Sequence, residues 1–263
     1  MMKKVVMIGA GNVAVNLAQA LAKHVDVLQV YSRKLSNANF LAAKVDAEAT
    51  DDLSRISEDA DIYIISVKDD AISSVIDAVP DNGALWVHTS GSKPMELFAG
   101  KRRRYGALYP MQSFSKQITV DFHDVPFFIE AAKESDVESI ENLASQLSTK
   151  VFRADSELRR RLHVAAVFSC NFANHMWVLA HGVLQEAGLP FDVMLPLIRT
   201  TVDKLDKLSP AESQTGPAIR KDYNVMDAHM KMLHDEDVRR LYSILSESII
   251  RYSEKTINDG KMS

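Results

Sequence analysis

The chain has 263 residues, 46% of them hydrophobic, with 31 Lys and Arg against 35 Asp and Glu and a single cysteine, Cys170. That length can bury a substantial core in one large domain or two ordinary ones. There is no basic excess for nucleic acid, one cysteine cannot form an internal disulfide, and no run approaches the roughly 18 apolar residues of a membrane span. The expectation is a cytoplasmic protein that acts on a small molecule, with no nucleic-acid, membrane or metal partner.

Short β-rich runs alternate with helical patterns through the first part of the chain, as in parallel βαβ units whose strands are buried on both faces. Strands are predicted at Lys4–Ile8, Val27–Tyr31, Ile62–Val67, Leu85–His88, Tyr105–Leu108 and Pro126–Glu130. The apolar run Val5–Ile8 follows two lysines as a signal peptide would, but Gly9 and Gly11 interrupt it, so it reads as a strand. A helix over Asn12–Lys23 sets Val13, Leu17, Ala20 and Leu21 on one stripe, and another covers Glu134–Leu147. Past about Phe152 the β signal ends, and amphipathic patterns run over Ser156–Ala187, Asp192–Leu208, Asp222–Leu233 and Asp235–Lys255. Gly188 and Pro190 close the first of these, Pro210, Gly216 and Pro217 mark a second break, and Asn258–Ser263 reads as a disordered tail. The expected fold class is α/β: a doubly wound, mainly parallel sheet over residues 1–153, followed by an all-helical domain over 154–263.

Gly9, Gly11 and Ala14 fill the three small-residue positions of a dinucleotide fingerprint, after an apolar strand and before a helix. The first glycine permits the tight turn. The second lets the backbone of Gly11, Asn12 and Val13 approach a pyrophosphate at the helix N-terminus. The N-terminal domain is therefore read as Rossmann-type. At the end of the second strand, where an acidic residue would hold the ribose of NAD, the chain has Ser32, Arg33 and Lys34. A guanidinium grips a 2′-phosphate that a carboxylate would repel, so the expected cofactor is NADP; the competing reading is a solvated loop.

Ligands in open parallel sheets gather at the carboxyl ends of strands. Val67 and Lys68 are expected there beside the cofactor, and His88, Ser90 and Gly91 beside the substrate, unless the latter form an ordinary turn. Lys101–Arg104, four cations before a strand read as facing an edge, are expected to be solvated.

The fingerprint, the His88-Thr89-Ser90-Gly91 turn, Tyr109-Pro110-Met111-Gln112-Ser113-Phe114, His163-Val164-Ala165-Ala166 with Asn171, and the segment Thr215–Asp222 form one pattern. It resembles the Rossmann-like proteins, labelled NADP oxidoreductases, that carry a helical C-terminal domain of unknown function. The resemblance spans nearly the whole chain. In layout the group is similar to pyrroline-5-carboxylate reductase and the deazaflavin-dependent NADP oxidoreductases, and more distantly to the β-hydroxyacid dehydrogenases and ketopantoate reductase. It implies a redox enzyme whose helical domain dimerises and whose substrate lies between the domains. The β-hydroxyacid dehydrogenases place a lysine at the start of the interdomain helix and an asparagine one turn later. Here His163 and Val167 stand in that region, so the lysine mechanism does not carry over.

Counting 100° per residue from His163, Cys170, Asn174, Trp177 and His181 share a polar stripe with Asn171 at its flank, while Ala165, Phe168, Phe172, Met176, Leu179 and Val183 form an apolar face for a core or a homodimer interface. His163 is the candidate general acid or base and Asn171 the candidate for orienting a carbonyl; the bland reading of His163 is a packing histidine. His181, His229 and His234 are given no catalytic role. Arg220 is the candidate anchor for a substrate carboxylate, with an Arg220–Asp222 ion pair as the alternative. The expected function is hydride transfer between NADP and a C=O or C=N bond of a small, carboxylated metabolite. The alternatives are a non-catalytic NADP-binding or sensing protein and, last, hydride exchange with a flavin or deazaflavin.

Overall fold

The computed structural model describes residues 2–258 and divides by internal contacts into two units, Met1–Asn171 and Phe172–Ser263. The strands of the first unit are β1 (Lys4–Ile8), β2 (Asp26–Tyr31), β3 (Glu48–Thr50), β4 (Ile62–Ile65), β5 (Leu85–His88), β6 (Tyr105–Pro110), β7 (Phe127–Ala131) and β8 (Val151–Arg153). Its helices are α1 (Asn12–Leu21), α2 (Leu35–Val45), α3 (Ile72–Ala78), α4 (Glu134–Ala144) and α5 (Ser156–Ala166). The sheet order is β3-β2-β1-β4-β5-β6-β7-β8, and every neighbouring pair is parallel except β6 and β7. The order reverses direction between β1 and β4. That switch point opens a crevice at the strand ends, where ligands of such sheets bind.

Successive residues of a strand point to opposite faces, and here both faces are buried. Val5 and Met7 join Leu17, Leu21 and Leu41 in one core, while Val6 and Ile8 join Tyr63, Ile65, Trp86 and Phe98 in the other. β3 and β8 have three residues each and escaped the sequence reading, because alternation cannot register over so short a run. The two predicted strand ends that differ most are Val67, which lies beyond β4, and Pro110, which β6 includes.

Of Lys101–Arg104, Lys101 and Arg103 are exposed as expected, whereas Arg102 is buried and Arg104 half-buried. β6 is an interior strand, and all four cations are engaged. Arg102 is buried over Trp86, 4.3 Å from its ring centroid, and donates to the Ile76 and Val79 carbonyls that end α3. Lys101 pairs with Asp77, Arg103 with Asp81 at 2.7 Å, and Arg104 with the fully buried Asp136 at 2.7 Å.

The predicted helix over Ser156–Ala187 is interrupted. After α5 comes a π-helical segment, Val167–Phe172, before α6 (Ala173–Glu186). A π turn holds about one residue more than an α turn, so positions beyond it are rotated by roughly 100° from the uniform count. A uniform count from His163 therefore does not carry through this segment.

The second unit is all helical: α6, then α7 (Leu195–Asp203), α8 (Tyr223–Met232) and α9 (Glu236–Asn258). Gly188 caps α6 at φ +70°, with the Leu189 N–H bonded to the Leu184 carbonyl at 2.9 Å. Asp222 and Asp235 accept from first-turn amides of α8 and α9, and His229 bonds Tyr242 across these helices at 2.8 Å. Asn258 ends α9, and the rest of the expected tail lies outside the described residues. Among the described residues no helix is long and apolar enough to cross a membrane.

Candidate active site

A cavity of about 900 Å³ opens at the switch point, lined entirely by the first unit. Its floor is the turn after β1. Gly9 donates to the Tyr31 carbonyl at 2.8 Å and adopts φ +128°, and a Cβ there would lie 2.1 Å from the Ser66 oxygen. Only glycine fits. Gly11 is different, since a Cβ on it would meet nothing within 4 Å. Nothing in the protein requires glycine at that place, and α1 begins there without a side-chain cap. An open backbone cradle at an uncapped helix N-terminus is what a pyrophosphate needs.

Three further segments build the walls. Tyr31, Ser32 and Arg33 come from the end of β2 and Asn37 from the first turn of α2. Ser66 to Ala71 follow β4, where Thr89 Oγ1 donates to Ser66 Oγ at 3.1 Å and ties the ends of β4 and β5 together. The loop after β6 is laced to α1: Asn12 Nδ2 donates to the Phe114 carbonyl at 3.0 Å, Asn16 Nδ2 to that of Ser115 at 2.8 Å, and Asn16 Oδ1 accepts from the Val120 amide. This brings Phe114 and Lys116 to the cavity. Arg33, Lys68 and Lys116 make it receptive to phosphate, and the glycine cradle fits a dinucleotide.

At the cavity's other side the β5 exit is rigid. His88 is fully buried, stacked on Phe98, and its Nδ1 accepts from the Ser90 amide at 3.2 Å. Burial, with the Arg159 charge adding, pushes its pKa down to about 4, so it is neutral at physiological pH. Ser90 Oγ in turn accepts from the amides of Ser92 and Lys93. Arg159, on α5 and fully buried, donates from Nε to the Ser90 carbonyl at 3.1 Å and from Nη2 to that of Lys93, and its Nη1 pairs with Glu130 of β7. One α turn later His163 Nδ1 lies 3.1 Å from the Tyr109 hydroxyl at the end of β6. Burial raises the Tyr109 pKa, with Arg159 acting in the opposite direction. A Cβ on Gly91 would lie 2.8 Å from both His163 Nδ1 and Tyr109 Cζ, so glycine lets the turn close on this pair.

Residues 4–89 match the profile of the coenzyme F420-dependent NADP oxidoreductases, and residues 125–249 match a domain of unknown function. A solved Bacteroides fragilis protein, provisionally described as an NADP oxidoreductase, is 49% identical over 95% of this chain and 98% of its own, with a TM-score of 0.92. The chain belongs to this NADP oxidoreductase family. Two more distant structures share the fold of this chain. A Thermotoga maritima protein is 22% identical over 95% of this chain and 99% of its own, with a TM-score of 0.78. A reductive aminase from Aspergillus terreus, in complex with NADPH and ethyl-5-oxohexanoate, is 14% identical over 99% and 95%, with a TM-score of 0.71. No curated protein matches the chain.

The cavity gathers Gly9, Gly11, Asn12, Val13, Ser32, Arg33, Val67, Lys68, Ser90, Gly91 and His163 from the residues singled out in the sequence. Four others are placed elsewhere. Lys34 is exposed at the N-cap of α2 and is not part of the lining. His88 points into the core beneath its turn. Asn171 is exposed in the π segment and is not part of the lining. Arg220 belongs to the second unit, exposed, and the Arg220–Asp222 ion pair does not form among the described residues, since Asp222 caps α8 instead. Tyr109, Arg159, Glu130, Asn37 and Lys116 were not anticipated as site residues. One signal was available: Arg159 and His163 are four residues apart and so share a helix face.

Proposed function

We propose that this protein is an NADPH-dependent oxidoreductase that transfers hydride between the nicotinamide and a C=O or C=N bond of a small, carboxylated metabolite, with His163 handling the accompanying proton. The observation that carries this reading is that one cavity holds both the Gly9–Gly11 cradle and His163 with Gly91. Ser32 and Arg33 would hold the 2′-phosphate, with Asn37 beside them. When bound, the cofactor supplies the hydride; the protein supplies position, charge and the proton. The reductive aminase with the same fold was crystallised with NADPH and a keto ester, which agrees with this class of chemistry. Arg220, exposed in the second unit, is retained as the candidate for a substrate carboxylate.

We also propose a homodimer formed through the helical unit. Val178, Val183, Leu197, Val202, Ile244 and Leu245 are each more than 40% exposed on its helices and supply apolar surface for such an interface.

The test is nicotinamide absorbance during incubation with NADPH and a panel of 2-oxo acids, with and without ammonium, and of cyclic imines. Substrate-dependent oxidation is expected. Arg33→Ala is expected to weaken NADPH binding about 10- to 100-fold, the worth of one charge-assisted phosphate contact, and to leave NADH binding unchanged. Tight NADPH binding with no oxidising substrate in the panel would favour the sensing alternative, and equal loss for both cofactors would remove the 2′-phosphate assignment.

A further inference from the structure

We propose that Tyr109 is the catalytic acid of this site, delivering the proton to the oxygen or nitrogen of the reduced bond, and that His163 is the relay that restores it. This rests on the hydride-transfer reading above and assigns its proton donor.

The geometry separates the two residues by exposure. Tyr109 is 8% exposed yet lines the cavity, whereas His163 is half-buried and reaches both the cavity and the phenol. Of the two His163 ring nitrogens, Nδ1 is the one engaged by the Tyr109 hydroxyl, at 3.1 Å. A proton leaving Nδ1 therefore passes to the phenol oxygen first. The phenol cannot turn away. Its ring packs beside Phe128, with centroids 6.4 Å apart, the imidazole meets it edge-on at 77°, and the Gly91 backbone closes on both rings.

The charges around the phenol suit a donor. Arg159 faces it from α5 and is itself balanced by Glu130 of β7, while His163 is the titratable neighbour. Burial keeps the phenol protonated, and the guanidinium offsets part of the cost of the transient phenolate.

The carbon of the C=O or C=N bond accepts hydride from the reduced nicotinamide, forming C–H. The π pair moves to the heteroatom, which takes the Tyr109 proton as the phenolic O–H breaks. The phenolate then takes the Nδ1 proton of His163, and Nε2 gains one from solvent, exchanging one neutral tautomer for the other. One NADPH and one solvent proton are consumed per bond reduced.

Tyr109→Phe, His163→Gln and the double variant separate this role from a structural one. Loss of the hydroxyl leaves the ring packing intact, and thermal melting with NADPH titration by fluorescence checks folding and cofactor binding. Tyr109→Phe is expected to lower kcat about 10²- to 10⁴-fold with NADPH affinity unchanged. The double variant is expected to be no slower than Tyr109→Phe, because donor and relay act as a unit. Independently of turnover, ¹⁵N-imidazole NMR is expected to show the His163 Nδ1 resonance shifting in Tyr109→Phe. An unmoved resonance, or Tyr109→Phe with wild-type turnover, overturns the proposal while leaving the reductase reading in place. A wild-type protein that binds NADPH and reduces nothing in the panel overturns both.

Discussion

The two units of the chain are stabilised in different ways. In the first, both faces of an eight-stranded sheet are covered, and residues such as Met7, Leu17, Ile64, Trp86 and Phe127 are completely buried. In the second, the buried hydrophobic residues among those described are Leu184, Ala218 and Met226. Two of its helices, α8 and α9, are capped by Asp222 and Asp235, and Lys221 pairs with Glu254 at 2.7 Å, but exposed pairs of this kind contribute little. Helices of about ten residues are marginal without a buried face. The first unit thus carries its own stability, while the apolar faces of the second are suited to association.

Substitutions at the glycine turn give the largest expected effects and sharpen the contrast within the first unit. Gly9→Ala sets a Cβ against the Ser66 backbone in a left-handed conformation and is expected to cost upwards of about 4 kcal/mol, or to prevent folding, in urea unfolding. Gly11→Ala meets no protein atom, so its stability is expected to match the wild type while NADPH binding weakens. Equal stability losses for the two would break the argument that Gly11 serves the cofactor alone.

The next effect is pH-dependent. The pKa of His88 lies at about 4 in the fold against 6.5 for an ordinary histidine, so the unfolded chain binds the proton more readily between those values. Stability present above about pH 6.5 is lost as the pH falls toward 4, by on the order of 3 kcal/mol. His88→Asn keeps an acceptor for the Ser90 amide and is expected to flatten this component in unfolding curves at neutral pH and at about pH 4.5. An unchanged slope in the variant would remove His88 as its source.

The smallest expected stability effect falls in the second unit. Leu197→Ser, at a side chain 63% exposed, is expected to change the unfolding free energy of an isolated chain by no more than about 0.5 kcal/mol. Combined with Ile244→Ser, it is expected to shift the mass measured by analytical ultracentrifugation from dimer to monomer. A wild-type mass equal to that of one chain would refute the homodimer and the lesson drawn from the comparison.

Much of the fold was legible because its signals are local. The strand–glycine–helix order marked β1, the cradle and α1, and Gly188 marked the end of α6. Legibility failed where a reading assumed uniform geometry or solvent. The π segment broke the helical count beyond His163, and of four consecutive cations that look solvated, Arg102 is buried against the end of α3 and Arg104 pairs with the buried Asp136 of α4. In the site, Gly9, Gly11, Ser32, Arg33 and His163 could be singled out, yet Lys34 and His88 have the right residue types at the right strand ends and do not line the cavity, Lys34 being exposed and His88 buried in the core.

By itself the sequence determined the backbone devices of this protein: which long apolar runs become strands, where glycine must turn the chain, and which helix N-terminus lies open. These depend on residues within a few positions of one another, through steric and hydrogen-bonding rules that hold in any surroundings. Tertiary structure alone decided that Tyr109 meets His163, that Arg159 binds Glu130 and that Lys116 shares a cavity with Arg33. Such contacts join residues tens of positions apart. They come into being when strand order and helix packing bring those residues together.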